Sequence, residues 1–211
     1  MMRYIQLNHA VSYLKPSKIL EVGTWIGQRA IDMYSANPNR GMEYVGIDLW
    51  DNLTEEISAR ELNSKPRVPK GVVDSSLTNV GLKHRLYQGY SYDRLPAVIS
   101  DYGLKSFPFI YIDGGHAVET IKGDLIHCLE LVSPGGMIVL DDYYSEITDA
   151  FSAKWGCNQV LNGTPFGSWY LWPLRDPLRD GGFVQMAVIQ MPKEDDPCLL
   201  NSTPTAAYLS E

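Results

Sequence analysis

The chain has 211 residues, 45% of them hydrophobic and 20% charged, with a net charge of −7. That is chain enough for one domain with a substantial core, in the composition range of soluble globular proteins. The acidic balance, with no Lys/Arg cluster to offset it, argues against a nucleic-acid backbone or an anionic membrane as main partner.

The opening segment MMRYIQLNHAVSYLKP carries polar residues throughout, so it does not read as a signal peptide. KILEVG (18–23) reads as a strand ending in glycine, followed by a helical stretch over 25–36. EYVGIDLW (43–50) is a second strand. Residues 51–74 are polar, rich in Pro and Lys and without a clear period, which reads as a mobile loop or lid. HRLYQGYS (84–91) is a weaker third strand with a helical stretch, YDRLPAVISDYG, behind it. FPFIYIDGG (107–115) is a fourth, strongly apolar strand. Within 116–132, Val118, Ile121, Leu125, Cys128, Leu129 and Val132 share one helical face, and SPGG (133–136) is expected to stop that helix. MIVLDDY (137–143) is the fifth strand. GSWYLWPL (167–174) and FVQMAVIQM (183–191), joined by the turn-rich RDPLRDGG, read as a hairpin. The tail from Pro192 reads as weakly ordered, which gives one domain over 1–192.

Continuously apolar strands alternating with helices indicate an α/β fold whose parallel sheet is covered on both faces. No internal repeat is visible, and no apolar run is long enough to span a bilayer. Cys128, Cys157 and Cys198 lack metal-ligand spacing, and their odd number fits a reducing compartment better than a disulfide framework. The expected location is the cytoplasm.

An open doubly wound sheet binds its ligand beyond the carboxyl ends of its strands. After the first strand comes EVGTWIGQRA, with Glu21, Gly23, Thr24 and Gly27 in a tight turn that lets backbone approach a ligand. It is not the G-x-G-x-x-G dinucleotide fingerprint. After the second strand come Asp48 and Leu49, and an acid there can accept both hydroxyls of a ribose. Either feature alone also fits a plain turn or a capping residue. Together, at one edge of the sheet, they point to an adenosine-type ligand.

These stretches, in this order with YIDGGHAVETIKGDLIHCLELVSPGGMIVLDDY, resemble the class I S-adenosylmethionine-dependent methyltransferases. They are most similar to the small-molecule and sugar O-methyltransferases related to macrocin O-methyltransferase. The resemblance implies a Rossmann-like seven-stranded sheet, mostly parallel, with a C-terminal antiparallel hairpin. It also implies that Glu21 and Gly23 line the methionine end of the cofactor, that Asp48 holds its ribose, and that Gly89, Tyr90 and Ser91 lie near its adenine. Trp25 stands where many of these enzymes have glycine.

Asp113, Asp141 and Asp142 follow the fourth and fifth strands. Three converging carboxylates repel one another, and a hard divalent cation, Mg²⁺ or Mn²⁺, removes that cost. The resemblance points the same way, and it puts His116 where catechol-type relatives carry a lysine base. An imidazole has a suitable pKa for that task. Simpler readings stay open: the acids as turn or helix caps, and His116 as a loop or cofactor contact. Trp169, Tyr170 and Trp172 read either as packing or as an acceptor wall, and Trp50 as packing or an adenine stack. The expected activity is methyl transfer from S-adenosylmethionine to a small-molecule hydroxyl, with Asp113 or His116 removing its proton. A metal-independent N- or O-methyltransferase, a nicotinamide-dependent oxidoreductase and a non-catalytic binding subunit remain rivals, and homo-oligomerisation stays open.

Overall fold

The computed structural model describes residues 1–162, 169–179 and 181–193. The chain runs through α1 (Arg3–Leu14), β1 (Lys18–Val22), α2 (Gln28–Ala36), β2 (Glu43–Asp48), a 3-10 turn (Trp50–Asn52), α3 (Glu55–Arg60) and α4 (Lys70–Asn79). It continues with β3 (Lys83–Gln88), α5 (Ser91–Tyr102), β4 (Phe107–Ile112), α6 (Val118–Leu131) and β5 (Val132–Ser145). Two short helices, α7 (Asp149–Ser152) and α8 (Asn158–Asn162), precede β6 (Trp169–Pro177) and β7 (Phe183–Gln190).

The strands form one seven-stranded sheet in the order β3-β2-β1-β4-β5-β7-β6. The first five positions pair in parallel, and β7 runs antiparallel to both β5 and β6. This is the expected Rossmann-like sheet with its terminal hairpin. The winding direction reverses between β1 and β4, and a crevice opens there beyond the strand ends.

The strand pleat sends alternate side chains to opposite faces. Ile19, Tyr44, Phe109, Tyr111 and Val139 meet Leu7 and Val11 of α1, Met33 of α2 and Leu77 of α4. Leu20, Val22, Ile110, Ile112 and Leu140 meet Leu95 and Val98 of α5 and Ile121 and Leu125 of α6. Both faces are covered, which is why these strands read as unbroken apolar runs. Ile110 is fully buried among them, so Ile110→Ala would cost ~2–5 kcal/mol.

Three segments differ from the sequence reading. Residues 3–14 form α1, whose buried face consists only of Arg3, Leu7 and Val11. So narrow a stripe in polar surroundings carries little periodic signal. The segment 51–74 is not structureless: Thr54 caps α3 by accepting from the Ile57 N–H at 3.3 Å, and α4 begins at Lys70. The apolar pair that seats α4, Val73 and Leu77, straddled the end of the window read as a loop. SPGG does not merely stop a helix. It is bulged into the start of β5, where the pairing jumps from Phe107↔Val132 to Phe109↔Met137. The first two residues expected in the hairpin, 167–168, and the tail from 194 lie outside the described residues. Among the described residues no helix is long and apolar enough to cross a membrane.

Candidate active site

Beyond β1, β2 and β4 lies a cleft of about 840 Å³. Gly23, Asp113 and Gly114 line its floor. Gly23 has φ +96°, and a Cβ there would run into the backbone of Asp113, so only glycine lets the two strand-end turns touch. Asp113 N–H to Val22 O at 2.8 Å ties that contact, and Gly23 N–H to Ile47 O at 2.9 Å ties the same turn to β2.

Asp48 and Leu49 line the β2 side, and Gly89, Tyr90 and Ser91 line the next wall. Asp48 accepts the Trp25 N–H at 2.6 Å and the Trp50 N–H at 3.2 Å. A carboxylate has about four lone-pair sites, so acceptor capacity remains on the cleft side. The Gly89 N–H reaches the Asp48 carbonyl at 2.9 Å, and the Tyr90 and Tyr92 rings stack at 5.1 Å.

The other three expected cofactor residues do not line the cleft. Glu21 is fully buried on the α1–α2 face of the sheet, where it accepts from the Tyr44 hydroxyl. Thr24 Oγ1 shares that hydroxyl at 3.0 Å. Burial pushes Glu21 up to about 8 although the Tyr44 bond opposes it, and its Oε1 has no partner among the described residues. Gly27, at φ +77°, begins α2 and packs on Val73 and Leu77 of α4.

Much of the roof comes from the segment read as a lid: Leu53, Ile57, Arg60, Glu61, Asn63 and Lys65 all face the cleft. Glu61 is buried and clasps the start of α6. Its carboxylate accepts the Ala117 N–H at 3.2 Å and the Thr120 hydroxyl at 3.0 Å, and its carbonyl accepts the His116 N–H at 3.4 Å. An acid at a helix N-terminus satisfies free N–H groups and the helix dipole. Lys65 Nζ lies 3.7 Å from Asp113 Oδ2. Neither residue could be picked from the sequence, because each partner lies dozens of positions away and no local pattern marks it.

Beside the cleft, donor atoms of Asp113, His116 and Asp142 lie within 4.8 Å of one another. His116 is brought there by the Gly114-Gly115 loop, not by a turn of helix, since α6 begins only at Val118. His116 Nε2 is 3.0 Å from Asp142 Oδ2, while its buried Nδ1 has no partner among the described residues. Burial disfavours the imidazolium, but the facing Asp142 raises the ring to about 9. Asp142 is held below the usual carboxylate range: burial works against its charge and His116 outweighs it. Burial pushes Asp113 up to about 7, against the pull of Lys65.

Asp141 is a correction. Its carboxylate takes Arg3 through Nε at 2.7 Å and Nη2 at 3.1 Å, and the hydroxyls of Tyr4 and Tyr111 at 3.1 Å each. Asp141 lines the same small hollow as Asp113, His116 and Asp142, but its oxygens are occupied and it does not join their cluster of donor atoms. The pleat explains why: Val139 faces α1 and Leu140 faces α6, so Asp141 and Asp142 must part. A bulge completes the separation. β5 pairs Leu140 with Ala187 and then Tyr143 with Gln185, and Asp142 takes φ +61°.

The aromatic candidates resolve mainly as packing. Trp50 is buried, with its indole donating to the Trp25 carbonyl at 2.8 Å. Trp169 packs on Tyr143 at 5.9 Å, Trp172 lies against the α1 side of the core, and Tyr170 is exposed.

The fold recurs in known proteins. Residues 20–143, more than half of the chain, match the family model for a methyltransferase domain. Similar solved structures include the O-methyltransferase TomG of Streptomyces achromogenes, involved in tomaymycin synthesis and solved with S-adenosylmethionine. It is 18% identical, with a TM-score of 0.62 over 88% of this chain and 78% of that one. An O-methyltransferase from Bacillus cereus, solved with S-adenosylhomocysteine, is 16% identical, with a TM-score of 0.60 over 88% and 79%. At these identities the likeness concerns the fold; the family model carries the assignment. The chain belongs to the methyltransferase-domain family and is an S-adenosylmethionine-dependent methyltransferase.

Proposed function

We propose that the protein transfers the methyl group of S-adenosylmethionine to a hydroxyl oxygen of a small molecule, with a divalent cation held by Asp113, His116 and Asp142. The observation that carries this reading is the convergence of those three side chains at the edge of the cofactor cleft. Two carboxylates and an imidazole are a chemically sensible donor set for Mn²⁺ or Mg²⁺, the imidazole favouring the former. The orphaned Nδ1 of His116 fits a site with room for a further partner. The solved O-methyltransferase relatives, TomG with its role in tomaymycin synthesis among them, support a small-molecule acceptor. The IDGGH and LDDY motifs support a kinship with the macrocin-type sugar enzymes.

In this reading Asp48 accepts the ribose hydroxyls and the Gly89–Ser91 wall meets the adenine. Gly23 lets backbone close on the methionine end; Glu21 beneath it, raised to about 8 by burial and so largely protonated near neutrality, would ionise more readily once that cationic group binds above it. A bound cation supplies Lewis-acid charge that lowers the pKa of the acceptor hydroxyl. Asp113 stands at about 7 in the cation-free protein; a bound cation would hold it as carboxylate, whose oxygens can accept the hydroxyl proton. His116, at about 9 while it faces Asp142, is charged at neutral pH and becomes available only when that proton leaves. The segment 53–65 excludes water from above, and orientation supplies much of the rate.

The test is release of S-adenosylhomocysteine from S-adenosylmethionine with a panel of small hydroxyl acceptors, with Mg²⁺, with Mn²⁺ and with EDTA. Turnover that EDTA abolishes and Mn²⁺ or Mg²⁺ restores supports the reading. Turnover that persists in EDTA and in Asp142→Ala overturns the cation's part and leaves a metal-independent methyltransferase.

A further inference from the structure

Trp25 occupies an uncomfortable place for a tryptophan. Its φ is +47°, in the left-handed region where a side chain other than glycine is strained. It belongs to neither hydrophobic core and is only partly buried. Packing therefore does not account for it, but its polar contacts do. Its N–H donates to Asp48 Oδ2 at 2.6 Å, and its carbonyl accepts the Trp50 indole N–H at 2.8 Å. Its own indole N–H donates to the Pro66 carbonyl at 3.1 Å, and the Lys65 ammonium lies over its ring at 5.6 Å. One residue thus joins the acid at the end of β2 to the far end of the segment that roofs the cleft.

We propose that Trp25 is a positioning residue that couples cofactor binding to closure of residues 53–66. Its backbone is tied to Asp48 and its indole holds Pro66 across the opening. A ribose on Asp48 fixes the Trp25 turn, and the fixed turn presents the indole N–H to Pro66. Closing the segment in turn holds Trp25 N–H on Asp48 and keeps the carboxylate aimed into the cleft. Such coupling is reciprocal: whatever closure adds to cofactor affinity, the cofactor adds to closure. This rests on the reading of Asp48 as the ribose acid.

Trypsin reports on the segment directly, because Arg60 and Arg67 flank the latch while the Lys65-Pro66 bond resists cleavage. The full-length protein, Trp25→Phe and Trp25→Gly are digested with and without saturating S-adenosylhomocysteine, whose affinity is measured in parallel by calorimetry. In the native protein the ligand is expected to slow cleavage after Arg67 by about ten-fold or more. Trp25→Phe keeps a ring beneath Lys65 but loses the indole N–H. It is expected to bind the ligand about 3–10-fold more weakly, the worth of one hydrogen bond, and to lose most of the protection even at saturation. Trp25→Gly relieves the backbone strain and removes the latch. It should melt near the native temperature, bind the ligand, and leave Arg67 unprotected. Native-like protection in both ligand-saturated variants would overturn the proposal, as would a native protein that binds the ligand without protection. A native protein that does not bind S-adenosylhomocysteine at all would instead sink the proposed function beneath it.

Discussion

Asp141 and Asp142 are consecutive in the chain, both buried and both in the carboxyl half of β5, yet they live in different surroundings. Asp141 faces α1, where a guanidinium and two phenols saturate its oxygens. Asp142 faces the small hollow beside the cleft, where its main counter-charge is an imidazole with a nitrogen to spare. One side has every polar atom matched, as a structural ion pair requires. The other is left with an unmatched ring nitrogen and perturbed pKa values, the condition in which sites that bind and react are found. The difference teaches that adjacency of two acids in a strand argues against their acting together.

The widest gap between the two sides should appear in activity. Asp142→Asn and Asp113→Asn are expected to lower turnover by at least ~100-fold, measured as S-adenosylhomocysteine release, since even outer partners of a metal site cost 10–100-fold. If Asp141→Asn, assayed as folded protein, proved as damaging as Asp142→Asn, the contrast would be broken. Next comes stability. Arg3→Ala strands a buried carboxylate and should cost ~3–5 kcal/mol by urea unfolding, whereas Arg3→Met with Asp141→Leu recovers most of it.

The pH dependence of Mn²⁺ binding separates the sides further. His116 carries its proton up to about 9, so cation binding must displace it. Affinity should therefore tighten by up to ~10-fold per pH unit between pH 6.5 and 9, read by calorimetry, and flatten in His116→Gln. The linkage to folding has the opposite sense in the cation-free protein. With a pKa raised above its unfolded value, His116 contributes stability fully present below about 6.5 and lost as the pH rises toward 9. The smallest effect is expected from Tyr111→Phe, which removes one hydroxyl from Asp141. It should cost ~1.5–3 kcal/mol, the worth of a hydrogen bond to a charge, while Mn²⁺ affinity stays unchanged.

The strands were legible because each is a short apolar run that only a doubly covered sheet can bury, and the ends of β1, β2 and β4 followed from them. Asp48 and Asp113 could be placed at the cleft for that reason, whereas Gly89 was placed there by the family resemblance. Asp141 was misplaced although the signal was present: counting alternation from Val139 sends it to the α1 face. Arg3 gave no comparable hint. A lone arginine in a polar segment looks like surface until the terminal helix crosses the sheet and meets β5. Glu61 and Lys65 were likewise silent in a stretch that looked like solvent-exposed chain.

What the sequence determined by itself was the layered α/β sheet and the edge at which a ligand binds, because hydrophobic periodicity and strand-end glycines are local. Only the tertiary structure decided which charges meet. Arg3 takes Asp141, His116 takes Asp142, Lys65 approaches Asp113 and Glu61 caps α6. Such pairings join residues far apart in the chain, and a buried charge is tolerated only where the fold delivers a partner.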